Sequence, residues 1–160
     1  MVCSYSKDSP KRLNFGFTYP MAVIKILLQL LLGAFLLSAG SSHIGSNRIA
    51  FQAQVPTWLP LAPDFVVVAS GLVEITLGVL LITTAFRLKK YRPFVGLLAA
   101  VFFILIFPGN INQYVNQIDA FGLDTDTKRL IRLFFQPPLV AWAIWSTNAW
   151  QVVRKILKLS

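Results

Sequence analysis

The stretch FVVVASGLVEITLGVLLITTAF, residues 65–86, decides the fold because it is long, apolar and interrupted by a single charge, Glu74. A bilayer core about 30 Å thick needs about 20 helical residues to cross it. Pro63 and Asp64 precede the stretch and are typical of the first turn of a helix. We therefore predict a transmembrane helix that carries a carboxyl group near its middle.

Three further apolar blocks occur along the chain, at residues 21–40, 93–107 and 133–150. Beyond Pro108 the third block continues as INQYVNQI, in which apolar side chains recur at helical spacing, so we expect the helix to extend past the proline. The fourth block contains two prolines, which membrane helices tolerate where neighbours satisfy the freed carbonyls. Because short loops join the four blocks, the sequence predicts an all-α integral membrane protein, a four-helix transmembrane bundle.

Composition favours lipid over water as the surroundings of these helices. Apolar residues make up 56% of the chain and charged residues 13%, against about 45–50% and about 25% in soluble domains. The formal net charge is +9, but the basic residues stand at the ends of apolar blocks and form no basic face interleaved with aromatic residues. We therefore expect a lipid bilayer as the partner and no nucleic acid.

The positions of Lys and Arg predict the orientation of the chain. They concentrate near the N-terminus, in the loop at 87–92 and in the C-terminal tail, whereas acidic residues balance them on the other side. The side richer in Lys and Arg is cytoplasmic, so we predict a multi-pass protein of the inner (plasma) membrane with both termini cytoplasmic. The predicted domains are a basic cytoplasmic N-terminal segment at 1–19, the transmembrane domain at 20–152 and a basic cytoplasmic tail at 153–160.

Each predicted span brings one polar residue to the middle or outer half of the membrane: His43, Glu74, Asn110 and Gln136. At 1.5 Å per residue, Glu74 lies about 15 Å below the outer start of its helix. A carboxylate at mid-bilayer costs about 2.5–3.5 kcal/mol on insertion scales, so it should face the interior of the bundle. We hypothesise that the four residues line one polar pocket open to the outer face. Trp142 and Trp145 are its predicted aromatic wall.

A structural explanation exists for each of these residues. Glu74 could be a protonated acid that holds helices together, and His43 could cap the end of the first helix. The amides of Asn110 and Gln136 could bond carbonyls that nearby prolines leave free, and the two tryptophans could serve packing alone. The sequence leaves the structural and the ligand-binding interpretations open.

The sequence offers little for catalysis within this chain. With one cysteine, Cys3, and one histidine, it has no internal disulfide, dithiol pair or bis-histidine haem site, and too few ligands for a dedicated zinc site. Phosphate-binding loops, nucleophile elbows and paired catalytic acids are also missing. We predict no catalytic residues, no metal and no cofactor of this chain's own, and leave a quinone open as a ligand. The sequence does not decide whether the protein is an enzyme, although the missing motifs favour a protein without catalytic activity.

Four motifs follow one another in the order SAGSSHIGS (38–46), ASGLVEITLGVLL (69–81), FPGNINQYVNQ (107–117) and RLFFQPPLVAWAIW (132–145). Together they resemble the DoxX-like membrane proteins over residues 24–150. The chain departs from that pattern at Gly109, where the family has alanine, and at Pro138, where it has leucine. The resemblance implies a four-helix bundle in a bacterial inner membrane.

The resemblance also implies a role. Proteins of this kind have been linked to membrane oxidoreductase assemblies, including a thiosulfate:quinone oxidoreductase subunit. The leading prediction is a non-catalytic accessory subunit with a soluble oxidoreductase partner. The alternative is a binder of a small lipophilic molecule, a quinone or a lipid, in the outer-half pocket. A third option is a proton-coupled transporter that uses Glu74, for which four spans without a repeat would need a homodimer.

Overall fold

A computed structural model describes residues 18–159, which form six α-helices, one 3₁₀ turn and no strand. The helices are α1 (Thr18–Ile44), α2 (Arg48–Gln52), α3 (Pro63–Phe86), α4 (Arg92–Val115), α5 (Asp126–Thr147) and α6 (Trp150–Leu159), and the 3₁₀ turn is Lys89–Tyr91. The predicted N-terminal segment, with Cys3, lies outside the described residues for all but its last two positions.

Three of these helices, α1, α3 and α4, are long and apolar enough to cross a membrane. They correspond to the first three apolar blocks, and α4 continues through Pro108 to Val115, as the spacing predicts. The prediction of an all-helical membrane protein is confirmed to this extent. α5 differs, because charged residues occupy its first two turns and its apolar part begins only at Leu133.

The fourth apolar block does not form one helix to its end. α5 starts before that block, at Asp126, and stops at Thr147, where Asn148 adopts a left-handed backbone with a φ of 60°. Asparagine tolerates this conformation, which commonly terminates a helix. Trp150 therefore opens α6 instead of closing the fourth apolar helix, and α6 runs through the boundary predicted between residues 152 and 153.

Glycines bring α1 and α3 into backbone contact. A Cβ atom at Gly40 would lie 2.5 Å from the carbonyl oxygen of Gly71, and one at Gly78 would lie 2.8 Å from that of Gly33. Small residues allow this close approach between helices in membranes. Glu74 lies between Gly71 and Gly78 on the same face of α3, so the packing of the glycines turns its side chain toward the interior, where it is 5% exposed.

The bundle consists of two helix pairs. α1 packs most closely on α3, α4 packs most closely on α5, and the pairs meet along α1–α5 and α3–α4. The apolar core between them is built from Leu32, Leu36, Leu77, Leu81, Val95, Ala99, Ala100, Phe102, Phe103 and Ala143. We call the end of the bundle that carries α2 the α2 end, and the opposite end the α6 end.

The distribution of polar and apolar side chains is the reverse of that in a water-soluble protein. Gln29, Gln113 and Ser146 are almost fully buried, whereas Leu31 and Leu105 are 58% and 71% exposed. Soluble proteins bury their large apolar side chains and expose their amides. The reverse pattern is expected where the surroundings are hydrocarbon, since polar groups then find partners only inside the bundle.

Candidate functional site

A cavity of about 910 Å³ lies between the two helix pairs, toward the α2 end. Its lining includes His43 of α1, Glu74 of α3, Asn110 of α4 and Gln136 of α5. The structure thus brings together the four polar residues that the sequence singles out, one from each long helix. The rest of the lining is mainly apolar and aromatic, with Trp142 among it.

Glu74 supplies the polar group that is left without a partner in this cavity. Its side chain is almost fully buried, and its Oε2 atom forms no hydrogen bond with any residue of the described part of the chain. A buried polar atom without a partner costs about 1–3 kcal/mol. Such an atom in a native structure therefore calls for an explanation.

His43 is the neighbour of this carboxyl group. Its Nδ1 lies 2.8 Å from the carbonyl oxygen of Ala39 and 3.0 Å from Oε2 of Glu74. A carbonyl only accepts, so Nδ1 carries the hydrogen and donates it to Ala39. That hydrogen is then engaged, and the approach of Glu74 is a close electrostatic contact, which explains why Oε2 has no hydrogen bond. Phe51 stacks on the imidazole with the ring centroids 3.4 Å apart.

The two amides are already engaged with each other and with the backbone. Nδ2 of Asn110 donates to Oε1 of Gln136 at 3.0 Å, and Nε2 of Gln136 donates to the carbonyl of Phe103 at 2.5 Å. Phe103 directly precedes Ile104, whose carbonyl loses its helical donor at Pro108. These bonds tie α5 to α4 near the proline, although the accepting carbonyl is the neighbour of the one that Pro108 leaves free, and they leave Glu74 as the available group.

The two tryptophans separate. Trp142 lines the cavity and donates from its indole to the carbonyl of Leu28 at 3.0 Å. Trp145 does not line it: this side chain is 43% exposed, and Nζ of Lys25 lies 5.2 Å from its ring. The expectation that both residues form the aromatic wall is corrected for Trp145. Three residues along α5 carry it almost one turn toward the α6 end, beyond the cavity.

The sequence profile of a family described as a domain of unknown function, DUF8561, matches residues 32–147. The chain belongs to the DUF8561 family. The match contains His43, Glu74, Asn110 and Gln136 and ends before α6. No curated protein and no solved structure matches the chain.

The segment between α1 and α3 of the DUF8561 domain covers the cavity at the α2 end. Nε2 of Gln54 donates to Oε1 of Gln113 at 3.0 Å, and Phe51 contacts Phe121 with ring centroids 4.4 Å apart. Arg48 donates to both carboxylate oxygens of Asp64, at 2.6 and 2.5 Å. These hydrogen bonds raise the pKa of Arg48 and keep it charged. The segment is thus held to α3 and α4 while it borders the cavity.

A second buried polar network, toward the α6 end, was not singled out from the sequence. Arg92 donates from Nε to Oε1 of Gln29 at 2.5 Å and from its terminal nitrogen to the carbonyl of Ser146 at 2.6 Å. Gln29 in turn donates to the carbonyl of Leu81 at 2.7 Å. The isolated glutamine in the first apolar block is the signal that could have indicated it. These bonds join four helices, so we assign the network to stability.

Proposed function

We propose that this DUF8561 protein binds a small lipophilic molecule, a quinone or a lipid, in the cavity between its helix pairs. The observation that carries the proposal is the buried carboxyl group of Glu74 in a mainly apolar cavity, whose Oε2 lies 3.0 Å from Nδ1 of His43 but forms no hydrogen bond within the described residues. Ligand sites typically measure about 300–1,000 Å³ and combine apolar walls with a few polar groups. A volume of about 910 Å³ with one unsatisfied carboxyl fits that description.

The carboxyl group influences which head group the cavity can receive, together with Lys128 and Arg132 of the lining. A protonated Glu74 donates to a carbonyl such as that of a quinone, and an ionised one accepts from a hydroxyl or an ammonium group. In either state the ligand supplies the hydrogen bond that the described residues do not. The apolar body of the ligand would lie against side chains such as Leu36, Phe103 and Trp142.

Entry from the lipid side is consistent with the residues at the edge of the cavity. Phe35, Leu105 and Phe135 all line it, and they are 49%, 71% and 60% exposed on the surface of the bundle. Side chains that belong both to the cavity and to the outer surface mark places where the two are continuous. A molecule dissolved in the bilayer could therefore reach Glu74 without passing through water.

The proposal includes a fourth crossing by α5, with both termini cytoplasmic in an inner membrane, as in the DoxX-like resemblance. The contacts of α5 support it. Toward the α6 end, Trp142 donates to the carbonyl of Leu28 on α1, and Asn148, directly after α5, accepts from Nζ of Lys25 at 2.7 Å. Near the other end of α5, the buried Arg129 pairs with Asp119 and Asp126, which lowers the cost of the polar first turns.

The accessory-subunit prediction stays a prediction, because it comes from the resemblance and not from the cavity. Ligand binding is compatible with it, since a protein that holds a quinone can present it to a soluble oxidoreductase. Proton-coupled transport by a homodimer likewise stays a prediction. A lipophilic ligand is favoured over both because the cavity and its buried carboxyl group are formed by residues of this chain.

The test is a binding titration of the purified chain in mild detergent, with a short-chain ubiquinone and a phosphatidylethanolamine as probes and native mass spectrometry as the readout. We expect one probe to bind with one-to-one stoichiometry. Glu74→Gln keeps the shape but removes the acid, so the affinity should fall about fivefold or more, as expected for about 1–3 kcal/mol. Circular dichroism should remain unchanged.

The tryptophans provide a matched control. Trp142→Phe removes part of the cavity wall and should weaken binding, whereas Trp145→Phe makes the same change on the same helix outside the cavity and should not. Two results would contradict the proposal: neither probe binds to the wild-type protein, or Glu74→Gln binds as well as wild type.

A further inference from the structure

α6 has an apolar side that the bundle covers only in part. Val152 is buried and α6 packs on α4, but Trp150, Ile156 and Leu157 are 49%, 55% and 64% exposed. These apolar residues share one side of the helix, since they recur at helical spacing. The opposite side carries Gln151, Arg154, Lys155 and Lys158.

Charge is distributed very differently at the two ends of the bundle. Toward the α2 end, Arg48 pairs with Asp64, Lys128 pairs with Asp124, and Arg129 pairs with Asp119 and Asp126. At the α6 end, the described residues contain no acidic side chain and form no ion pair. The exposed basic residues there come from the α3–α4 loop and from α6: Arg87, Lys89, Lys90, Arg154, Lys155 and Lys158.

We propose that α6 lies in the membrane–water interface and, with the α3–α4 loop, binds the headgroups of anionic phospholipids at the α6 end. A helix with one apolar side and a basic polar side lies in the plane of the interface, with its apolar side at the acyl boundary. Trp150, whose ring is 5.5 Å from the guanidinium of Arg154, belongs to the residue type that concentrates at this depth. The unpaired basic residues complement lipid phosphates.

A phospholipid accounts for both the basic side and the exposed apolar side of α6. An acidic soluble protein could neutralise the basic residues, but it would have to supply an apolar surface for Ile156 and Leu157 as well. Acyl chains surround the apolar helices to which α6 is connected, so they cover these side chains without a further partner. The inference does not depend on the cavity and would hold if Glu74 bound nothing.

The first test compares phospholipids by native mass spectrometry of the full chain, titrated with phosphatidylglycerol and phosphatidylcholine. We expect wild type to prefer phosphatidylglycerol. Each basic residue near an anionic surface contributes about 1 kcal/mol, or about fivefold. The triple variant R154Q/K155Q/K158Q should therefore reduce the preference by about tenfold or more. The charge-keeping variant R154K/K155R/K158R should retain it.

Equal binding of the two lipids by wild type, or an unchanged preference in the glutamine variant, would overturn the proposal. Equal binding is also the result expected if the basic end serves an acidic protein instead. If the charge-keeping variant retains the preference for phosphatidylglycerol, the preference depends on charge and does not require the native sequence of α6.

A second test measures depth and does not depend on the glutamine variant. Single spin labels are placed at I156C and K155C in a C3S background, in bilayers that contain phosphatidylglycerol. We expect the label at 156 to be accessible to oxygen and shielded from a water-soluble nickel reagent, and the label at 155 to show the opposite. If both labels are equally accessible to the nickel reagent, α6 does not lie on the membrane.

Discussion

Arg92 illustrates how a single side chain can hold several membrane helices together. Its guanidinium donates in two directions, to Gln29 on α1 and to the backbone of Ser146 on α5. The planar fork of arginine supports two such bonds at fixed angles, whereas the ammonium group of lysine is a compact point charge. Charge alone therefore does not account for an arginine at this position.

Arg92→Lys should consequently destabilise the protein although it preserves the charge. One of the two acceptors would remain buried without its donor, at a cost of about 1–3 kcal/mol. We expect a lower midpoint of thermal unfolding in detergent. Arg87→Lys makes the same change at an exposed position and should leave the midpoint unchanged. Equal midpoints for the two variants would mean that the network around Arg92 does not contribute to stability.

At the scale of helices, the contact between α1 and α3 depends on residues without side chains. Gly33 faces Gly78, and Gly40 faces Gly71, and the two glycines on each helix are seven residues apart. Two helical turns therefore repeat the same close approach. This repeat fixes the rotation of α3 about its axis, and with it the direction in which Glu74 points.

Gly33→Val should separate the two helices. A Cβ atom there would lie 2.8 Å from Cγ1 of Ile82 and 3.0 Å from the carbonyl of Gly78. Overpacking of this kind costs about 1–3 kcal/mol, so the thermal midpoint should fall. Ala34→Val, on the exposed side of the next position, is the matched control and should have little effect. A Gly33→Val protein as stable as this control would show that the glycine contact is dispensable.

At the scale of the whole molecule, the open question is whether α5 crosses the membrane. α1, α3 and α4 qualify by length and apolarity, and α5 does not. An odd number of crossings would put α6 on the side opposite the start of α1. An even number would put both on the same side, as the distribution of Lys and Arg predicts.

Labelling with a membrane-impermeant maleimide in intact cells distinguishes these arrangements. We expect S46C and N116C, both in a C3S background, to react in intact cells. Cys3 of the wild-type protein should react only after lysis. K158C, in the C3S background, should likewise react only after lysis. Reaction of K158C in intact cells, together with S46C, would show that α5 does not cross and would contradict the four-helix prediction.

Sequence alone predicted a helical chain with four membrane spans, and three of them are confirmed as helices long and apolar enough to cross a membrane, because length and apolarity are properties of each segment taken separately. The same reasoning indicated that Glu74 faces inward, since a carboxyl in hydrocarbon is costly wherever its helix packs. It also identified His43, Asn110 and Gln136, whose ligand-binding role stays a prediction.

Only the tertiary structure decided which of these groups have partners. Asn110 and Gln136 bond to each other and to α4, Oε2 of Glu74 does not, and Trp145 lies outside the cavity that Trp142 lines. The network around Arg92 and the existence of α6 as a separate helix were also evident only in the tertiary structure. The physical reason is that a hydrogen bond depends on distance and direction between groups far apart in the sequence, and the fold alone sets these.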